Sequence, residues 1–331
     1  MKKKSGITWQ VTQSHIKKKK KVKLALLMLL VVLTTVIAGN LLRLVNSLFE
    51  PLNSVFDQRT YLWDGDSNLN LVYKNGENIS LLVIISGERK VLSLDIPSNT
   101  FIKVPGDFGS WELRSIFDLG GGDLKASSKL LKDSLSVFFG LPIDGFLSSS
   151  EEIPSSKILR DFKNPFSVVS LLNKLKTDLT PLELISLYTL LQQVRSDKIE
   201  SFDILGLDVL NSSELADGSH VYLPGSRLDS FISENFSDPK IKNEQKTIAV
   251  LNGTLSLGLA QKYSRLISNM GGNVIISDNT EDKVKYSVVF GEDSLTKKRL
   301  DQIFTSKYAI LDSKFVSRAQ ITIILGEDLV Q

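Results

Sequence analysis

The chain has 331 residues, 40 Lys and Arg against 37 Asp and Glu, a formal net charge of +3, no cysteine and two histidines. The lack of cysteine excludes disulfides and thiolate metal sites. With only His15 and His220, a zinc centre or a Ser-His-Asp triad would rest on His220, which beside Gly218 and Ser219 reads as a turn residue.

Residues 1–23 carry nine lysines and no acid, so the whole-chain +3 leaves +3 − 9 = −6 for the remainder. Residues 24–42 are nineteen uncharged, mostly apolar positions. As a helix they span about 30 Å, the thickness of a bilayer's hydrocarbon core. The lysines before them place 1–23 in the cytoplasm and the chain after Arg43 outside. A cleaved leader with Val36 and Ala38 before the cut is the rival reading. The basic cluster is explained by topology and anionic headgroups. Without a recognition helix or interleaved aromatics it does not argue for nucleic acid. The expected localisation is the cell membrane, single-pass, with the bulk extracytoplasmic.

Residues 43–60 continue with helical spacing at Leu44, Val45, Leu48 and Phe49 until Pro51, which predicts a short stalk. From residue 61, runs at 69–73, 79–85 and 91–96 are β-rich and separated by Asn75-Gly76 and Gly87-Glu88. They predict consecutive strands joined by tight turns, in a sheet covered on both faces. A helix is expected over 127–139, stopped by Gly140 and Pro142. A polar break follows at 148–156. Further helices are expected over 165–175 and over 180–194, where Thr180, Pro181 and Glu183 give a capped start. The polar segment 229–246 is expected to be a linker. After it, strands at 247–251, 273–277, 285–290 and 320–325 and helices at 257–270 and 295–304 predict a small α/β domain over 247–328. The exported part is thus read as α/β: a mixed sheet covered by helices over 61–228, then the small α/β unit.

Few motifs carry chemistry by themselves. Leu119-Gly120-Gly121-Gly122-Asp123 lacks the P-loop lysine and the Rossmann spacing, so it reads as a turn. Asp64-Gly65-Asp66 has too few alternating acids for a calcium loop. Arg89, Arg114 and Arg160 are the arginines of this region that could approach a phosphate. Trp63, Phe101, Phe108 and Trp111 could line an apolar groove or belong to the core. Asn252 and Gly253 suit a turn needing positive φ, and Thr254 could brace the following helix. Exposed amides at such a strand-turn-helix could bind an anion or a sugar, which makes Asn252, Gly253 and Thr254 candidate ligand-binding residues.

Two stretches resemble known families. The run from Ile248 to Thr254, followed by Gly258-Leu259-Ala260 and later Asn269-Met270-Gly271-Gly272-Asn273-Val274, resembles the LytR C-terminal domain. Upstream, Asp95-Ile96-Pro97-Ser98-Asn99-Thr100, the segment 112–121 and Phe139-Gly140-Leu141-Pro142-Ile143-Asp144 resemble the core of the LytR-CpsA-Psr envelope proteins. That resemblance implies a membrane-anchored enzyme that moves a glycopolymer from a polyprenyl diphosphate to peptidoglycan, with arginines on the diphosphate and aspartates on Mg²⁺. The chain departs from it where the chemistry lies. Ser98 stands for an arginine, Asn99 and Asn78 for aspartates, and Glu112 for a lysine. Serine cannot grip a diphosphate as a guanidinium does, and a neutral amide holds Mg²⁺ weakly.

The reading is therefore a degenerate site with no catalytic residue assigned, no protein metal site and no cofactor. The expected partners are a cell-wall glycan, a polyprenyl-linked precursor or an envelope protein. Two alternatives stay open. One is an active phosphotransferase that uses Mg²⁺ and takes its charges from Arg114 with Asp95 or Asp118. The other is a transcriptional attenuator contacting DNA through the cytoplasmic segment.

Overall fold

The computed structural model describes residues 62–304 and 318–330 apart from 150, 173 and 282, together with Lys23, Met28 and Thr34. The expected anchor at 24–42 and stalk at 43–60 lie outside the described residues except for those positions. Among the described residues no helix is long and apolar enough to cross a membrane. The chain divides into two compact units, Met1–Asn53 and Ser54–Gln331, and the second is the subject below.

Three strands organise it. β1 (Leu69–Asn75), β2 (Asn78–Ile85) and β3 (Lys90–Ile96) form an antiparallel meander, as their sequences predict. β2 shows why both faces must be covered: Ile79, Leu81 and Val83 enter one core, while Leu82 and Ile84 enter the other. β6 (Gly145–Ser149) adds parallel to β1 and β8 (Ile199–Asp203) parallel to β3. β7 (Leu175–Thr177) pairs antiparallel with β6, giving the order β7-β6-β1-β2-β3-β8.

The first face is covered by the hairpin β4 (Phe101–Val104) and β5 (Gly109–Glu112), by the single turn α1 (Leu113–Ile116) and by α2 (Leu124–Phe139). Asp123 caps α2 by accepting from the amides of Lys125 and Ala126, and Gly140 ends it at φ 59°. The second face carries α3 (Ser155–Lys163), α4 (Pro165–Leu172) and α5 (Pro181–Gln193). α5 starts with the expected capping box between Thr180 and Glu183.

The polar break expected at 148–156 is shorter than that: residues 151–154 are irregular, while 148–149 end β6 and 155–156 open α3. Ser149 and Ser155 are buried, and Ser155 Oγ accepts from Ser93 Oγ at 3.0 Å, so their polarity is satisfied internally. The expected helix 165–175 stops at Leu172 because 175–177 pair as β7. The linker reading of 229–246 is also corrected. α6 (Leu228–Asn235) and α7 (Pro239–Glu244) occupy it, and Leu228, Ile232, Phe236 and Ile241 reach the core. One apolar residue per turn suffices there, which a count of polar residues hides.

Between the two sheets, β9 (Leu210–Glu214) and β10 (His220–Pro224) form a hairpin. The second sheet runs β12 (Asn273–Asn279), β11 (Thr247–Asn252), β14 (Ile321–Leu325), β13 (Val288–Gly291), with β11 parallel to both neighbours. α8 (Leu259–Asn269) and α9 (Leu295–Ile303) complete it.

Both sheets share one continuous apolar cluster, from Leu81 and Leu131 through Ile232 to Ile248 and Leu266. Polar ties fix their register. Arg265 donates to the carbonyls of Val137 (2.6 Å) and Phe138 (2.8 Å) at the end of α2, while its Nε meets both carboxylate oxygens of Asp229. A cation there also suits the negative end of the helix dipole. Arg299 pairs with Asp144 at 2.7 Å, each side chain only 4% exposed, and Asp144 also accepts from the Asn70 amide at 2.8 Å.

Two outcomes follow for urea denaturation. Arg299→Met removes the guanidinium from the buried Asp144 carboxylate and should cost on the order of 3–5 kcal/mol, with part restored by adding Asp144→Asn. Burial pushes the Asp229 carboxyl up, but the hydrogen bonds from Arg265 and Asn269 and the Arg265 charge outweigh it and hold it below the usual carboxylate range. A depressed native pKa stabilises the fold above the unfolded value and loses that contribution as pH falls through the native one. Stability should therefore decline on acidification from the ordinary aspartate range downward, and Asp229→Asn should flatten that decline.

Candidate functional site

The turns at one end of the first sheet enclose an open groove of about 730 Å³, lined by Lys74, Gly76, Glu77, Asn78, Ser98, Arg114, Ser115, Asp118 and Glu152. Local bonding explains the convergence. Tyr73 donates from its hydroxyl to the Ile153 carbonyl at 2.5 Å, and Asn75 Oδ1 accepts from the Ile153 amide at 3.0 Å. These two bonds bring Glu152 beside the β1–β2 turn. On the other wall, the amides of Arg114 and Leu113 donate to the carbonyls of Ser98 and Thr100, stitching the turn after β3 to α1. Leu113 and Ile116 are buried, so Arg114 and Ser115 face outward.

Three of the sequence-derived positions, Asn78, Ser98 and Arg114, thus share the groove, together with Asp118. Asn99 does not line it. Its Nδ2 donates to the His220 carbonyl at 2.7 Å and its own carbonyl accepts from the Tyr222 amide, which fastens the β9–β10 hairpin to the turn. Glu112 acts through Arg114, whose Nε and terminal nitrogen both lie 2.6 Å from its carboxylate. Asp95 lies on the sheet face covered by α3, accepting from Ser80 at 2.6 Å and lying 3.5 Å from Ser155 of α3. Asp95 is not among the lining residues, which counts against pairing it with Arg114 in one cleft, whereas Asp118 lines the groove with Arg114. Arg89 and Arg160 are not among the lining residues.

Lys74, Glu77 and Glu152 were not singled out from sequence. Lys74 leans over the Phe117 ring at 5.0 Å from its centroid and donates to the Gly76 carbonyl at 2.6 Å. With Glu112, the groove holds two cations against four carboxylates, 2 − 4 = −2, and both cations are engaged within the protein. Among the described residues, no three His, Cys, Asp or Glu side chains converge to hold a metal ion.

Of the four aromatics considered for an apolar groove, Trp63 is buried in the second core and Phe108 and Trp111 are exposed on the β4–β5 hairpin, where Trp111 Nε1 donates to the Phe108 carbonyl at 2.7 Å. The four do not line one cavity. The glycine-rich segment is a turn: Gly121 and Gly122 adopt φ of 69° and 83° ahead of the Asp123 cap.

In the second sheet, Asn252, Gly253 and Thr254 form a self-satisfied turn. Asn252 Oδ1 accepts from the Thr254 amide and hydroxyl, while its Nδ2 donates to the Ser256 carbonyl and to Asn279. Thr254 Oγ1 accepts from the Ser256 amide, and the Gly253 amide donates to the Leu325 carbonyl. Gly253 is required for a different reason than expected. It is not among the positive-φ glycines; instead a Cβ there would lie 2.6 Å from Val284 and 2.9 Å from the Leu325 carbonyl. Positive φ occurs at Gly258, the residue before α8.

Residues 245–329 match the family model described as LytR cell envelope-related transcriptional attenuator. The carboxy-terminal part is a LytR C-terminal domain. No curated protein matches the chain. Among solved structures it is similar to B. subtilis TagT at 14% identity, covering 53% of this chain and 92% of that one with a TM-score of 0.37. It is also similar to a LytR-CPS2A-psr family protein, YwtF (TagT), with bound octaprenyl pyrophosphate lipid, at 13% identity, 52% and 90% coverage and a TM-score of 0.35. A third, TagT bound to LIIa-WTA, shows 13% identity, 54% and 94% coverage and a TM-score of 0.38.

The LytR C-terminal turn makes a checkable statement about its two glycines. Gly253→Ala, which meets backbone, should destabilise the protein by roughly 1–3 kcal/mol. Gly258→Ala, in open space but at φ 76°, should cost only about 1 kcal/mol. Urea denaturation of the two variants should show that order.

Proposed function

We propose that this chain is a membrane-anchored, extracytoplasmic envelope protein whose upstream domain binds a cell-wall glycan, or a precursor or partner displaying one, without transferring it. One observation carries the reading: the groove where phosphate clamps would be needed is formally negative, and Arg114 and Lys74 already have partners. Each unit of negative charge on a diphosphate brought to within about 6 Å of one unpaired carboxylate meets roughly 0.7 kcal/mol of repulsion in bulk water and nearer 3 at an effective dielectric of about 20. The Arg114–Glu112 pair is partly exposed and adds little stability, but it cancels the one guanidinium in the groove. Asn78, Ser98 and Ser115 offer amide and hydroxyl groups, and the carboxylates accept hydrogen bonds from sugar hydroxyls. That set matches a neutral polyhydroxylated ligand.

The test is equilibrium binding by the full chain in detergent micelles to uncharged glycan-strand fragments and, separately, to a short-chain polyprenyl diphosphate. Glycan binding should persist as salt is raised and should weaken about tenfold when Asp118→Asn and Asn78→Ala are combined, the loss of two to three ligand hydrogen bonds. Glu112→Gln, which releases the guanidinium, should increase diphosphate affinity. Tighter binding of the diphosphate than the glycan, abolished by Arg114→Gln, would overturn the reading.

A further inference from the structure

α5 presents an apolar face that nothing in the described molecule covers. Leu182 and Ile185, one turn apart, are 70% and 59% exposed. From 179 to 194 the sole charged residue is Glu183, and it is buried. The exposed positions farther along the helix, Thr189, Gln192 and Gln193, are uncharged. A surface helix normally places charge on its solvent side, so a charge-free exposed face calls for a partner.

The course of the chain indicates which one. The Trp63 amide donates to Glu183 Oε1 at 2.9 Å, and Glu183 Oε2 also accepts from the Thr180 amide at 2.7 Å. The first described residue of this unit, Leu62, is itself half exposed and lies beside the start of α5. The nineteen residues 43–61 separate it from the apolar run at 24–42. The chain therefore enters the described unit at the end of β1 opposite the groove, beside the start of α5 and next to α9, where Asp64 pairs with Lys298 at 2.6 Å.

We propose that the Leu182–Ile185 face of α5, with Leu62, rests on the lipid surface and inserts its aliphatic side chains at the headgroup boundary. This rests on the anchored reading above. It goes beyond it by assigning the side of the domain that faces lipid, and the contact would stabilise that orientation through apolar burial alone, with no headgroup charge recognised.

The absence of native cysteine makes single-site labelling clean. Ile185→Cys and, as a control on the β9–β10 hairpin, Ser212→Cys are introduced into the full chain and labelled with a polarity-sensitive fluorophore. Both are reconstituted into phosphatidylglycerol–phosphatidylethanolamine vesicles with and without lipids nitroxide-labelled near the headgroup. Flotation of the vesicles with bound protein tests the anchor separately, so its failure is distinguishable from failure of the contact. The expected result is quenching of the Ile185→Cys label by about threefold or more, with little change at Ser212→Cys, because the label sits at nitroxide depth only when the face is inserted. Equal and slight quenching at both sites in floated vesicles would overturn the proposal. So would shielding of the 185 label from aqueous iodide in lipid-free micelles, which would mean the chain covers its own helix, or label proximity that rises with protein density, which would mean a second copy covers it.

Discussion

The constraint that shapes this protein is that β1, β2 and β3 have no polar face. Eight consecutive positions of β2 contain one exposed residue, Asn78, at the groove end. A sheet of that kind is stable only when both sides are covered, so α2 and the β4–β5 hairpin must pack on one face and α3 to α5 on the other. Polar chemistry is thereby expelled to the strand ends. One end becomes the groove around Lys74 and Asn78, and the opposite end receives the LytR C-terminal domain through Asp144, Arg299 and Arg265.

This division also separates the residues that build the fold from those that set the groove's chemistry. The apolar residues that build the sheet are separate from the turn residues that face the groove. Ser98 and Asn78 line the groove and take no part in the core. Asn99, next to the groove residue Ser98, ties the β9–β10 hairpin in place. The fold and the site draw on different residues here, so the presence of the one does not certify the other.

Much of the architecture was legible in local sequence. The β1–β3 meander, the capping box at Thr180 and Glu183 and the alternation of the last 80 or so residues are written in periodicities and caps that act over a few residues. What was not legible depends on pairing at long range. Glu152 reaches the groove because Ile153 bonds to Tyr73 and Asn75 across nearly 80 positions, and no local pattern marks it. β8 and β9 carry little alternation, and the segment 229–246 hides its buried residues among charges. Gly253 was recognised as necessary, but its reason is the nearness of the Leu325 carbonyl, which only the parallel pairing of β11 and β14 creates.

The proposed reading is that the groove binds without phosphoryl transfer. The most direct measurement is turnover: the full chain in vesicles, supplied with Mg²⁺, a polyprenyl-diphosphate-linked glycopolymer and peptidoglycan, and assayed for covalently attached polymer and released lipid phosphate. The account predicts no product above that seen with Arg114→Gln. Product that requires Mg²⁺ and disappears in that variant would contradict it.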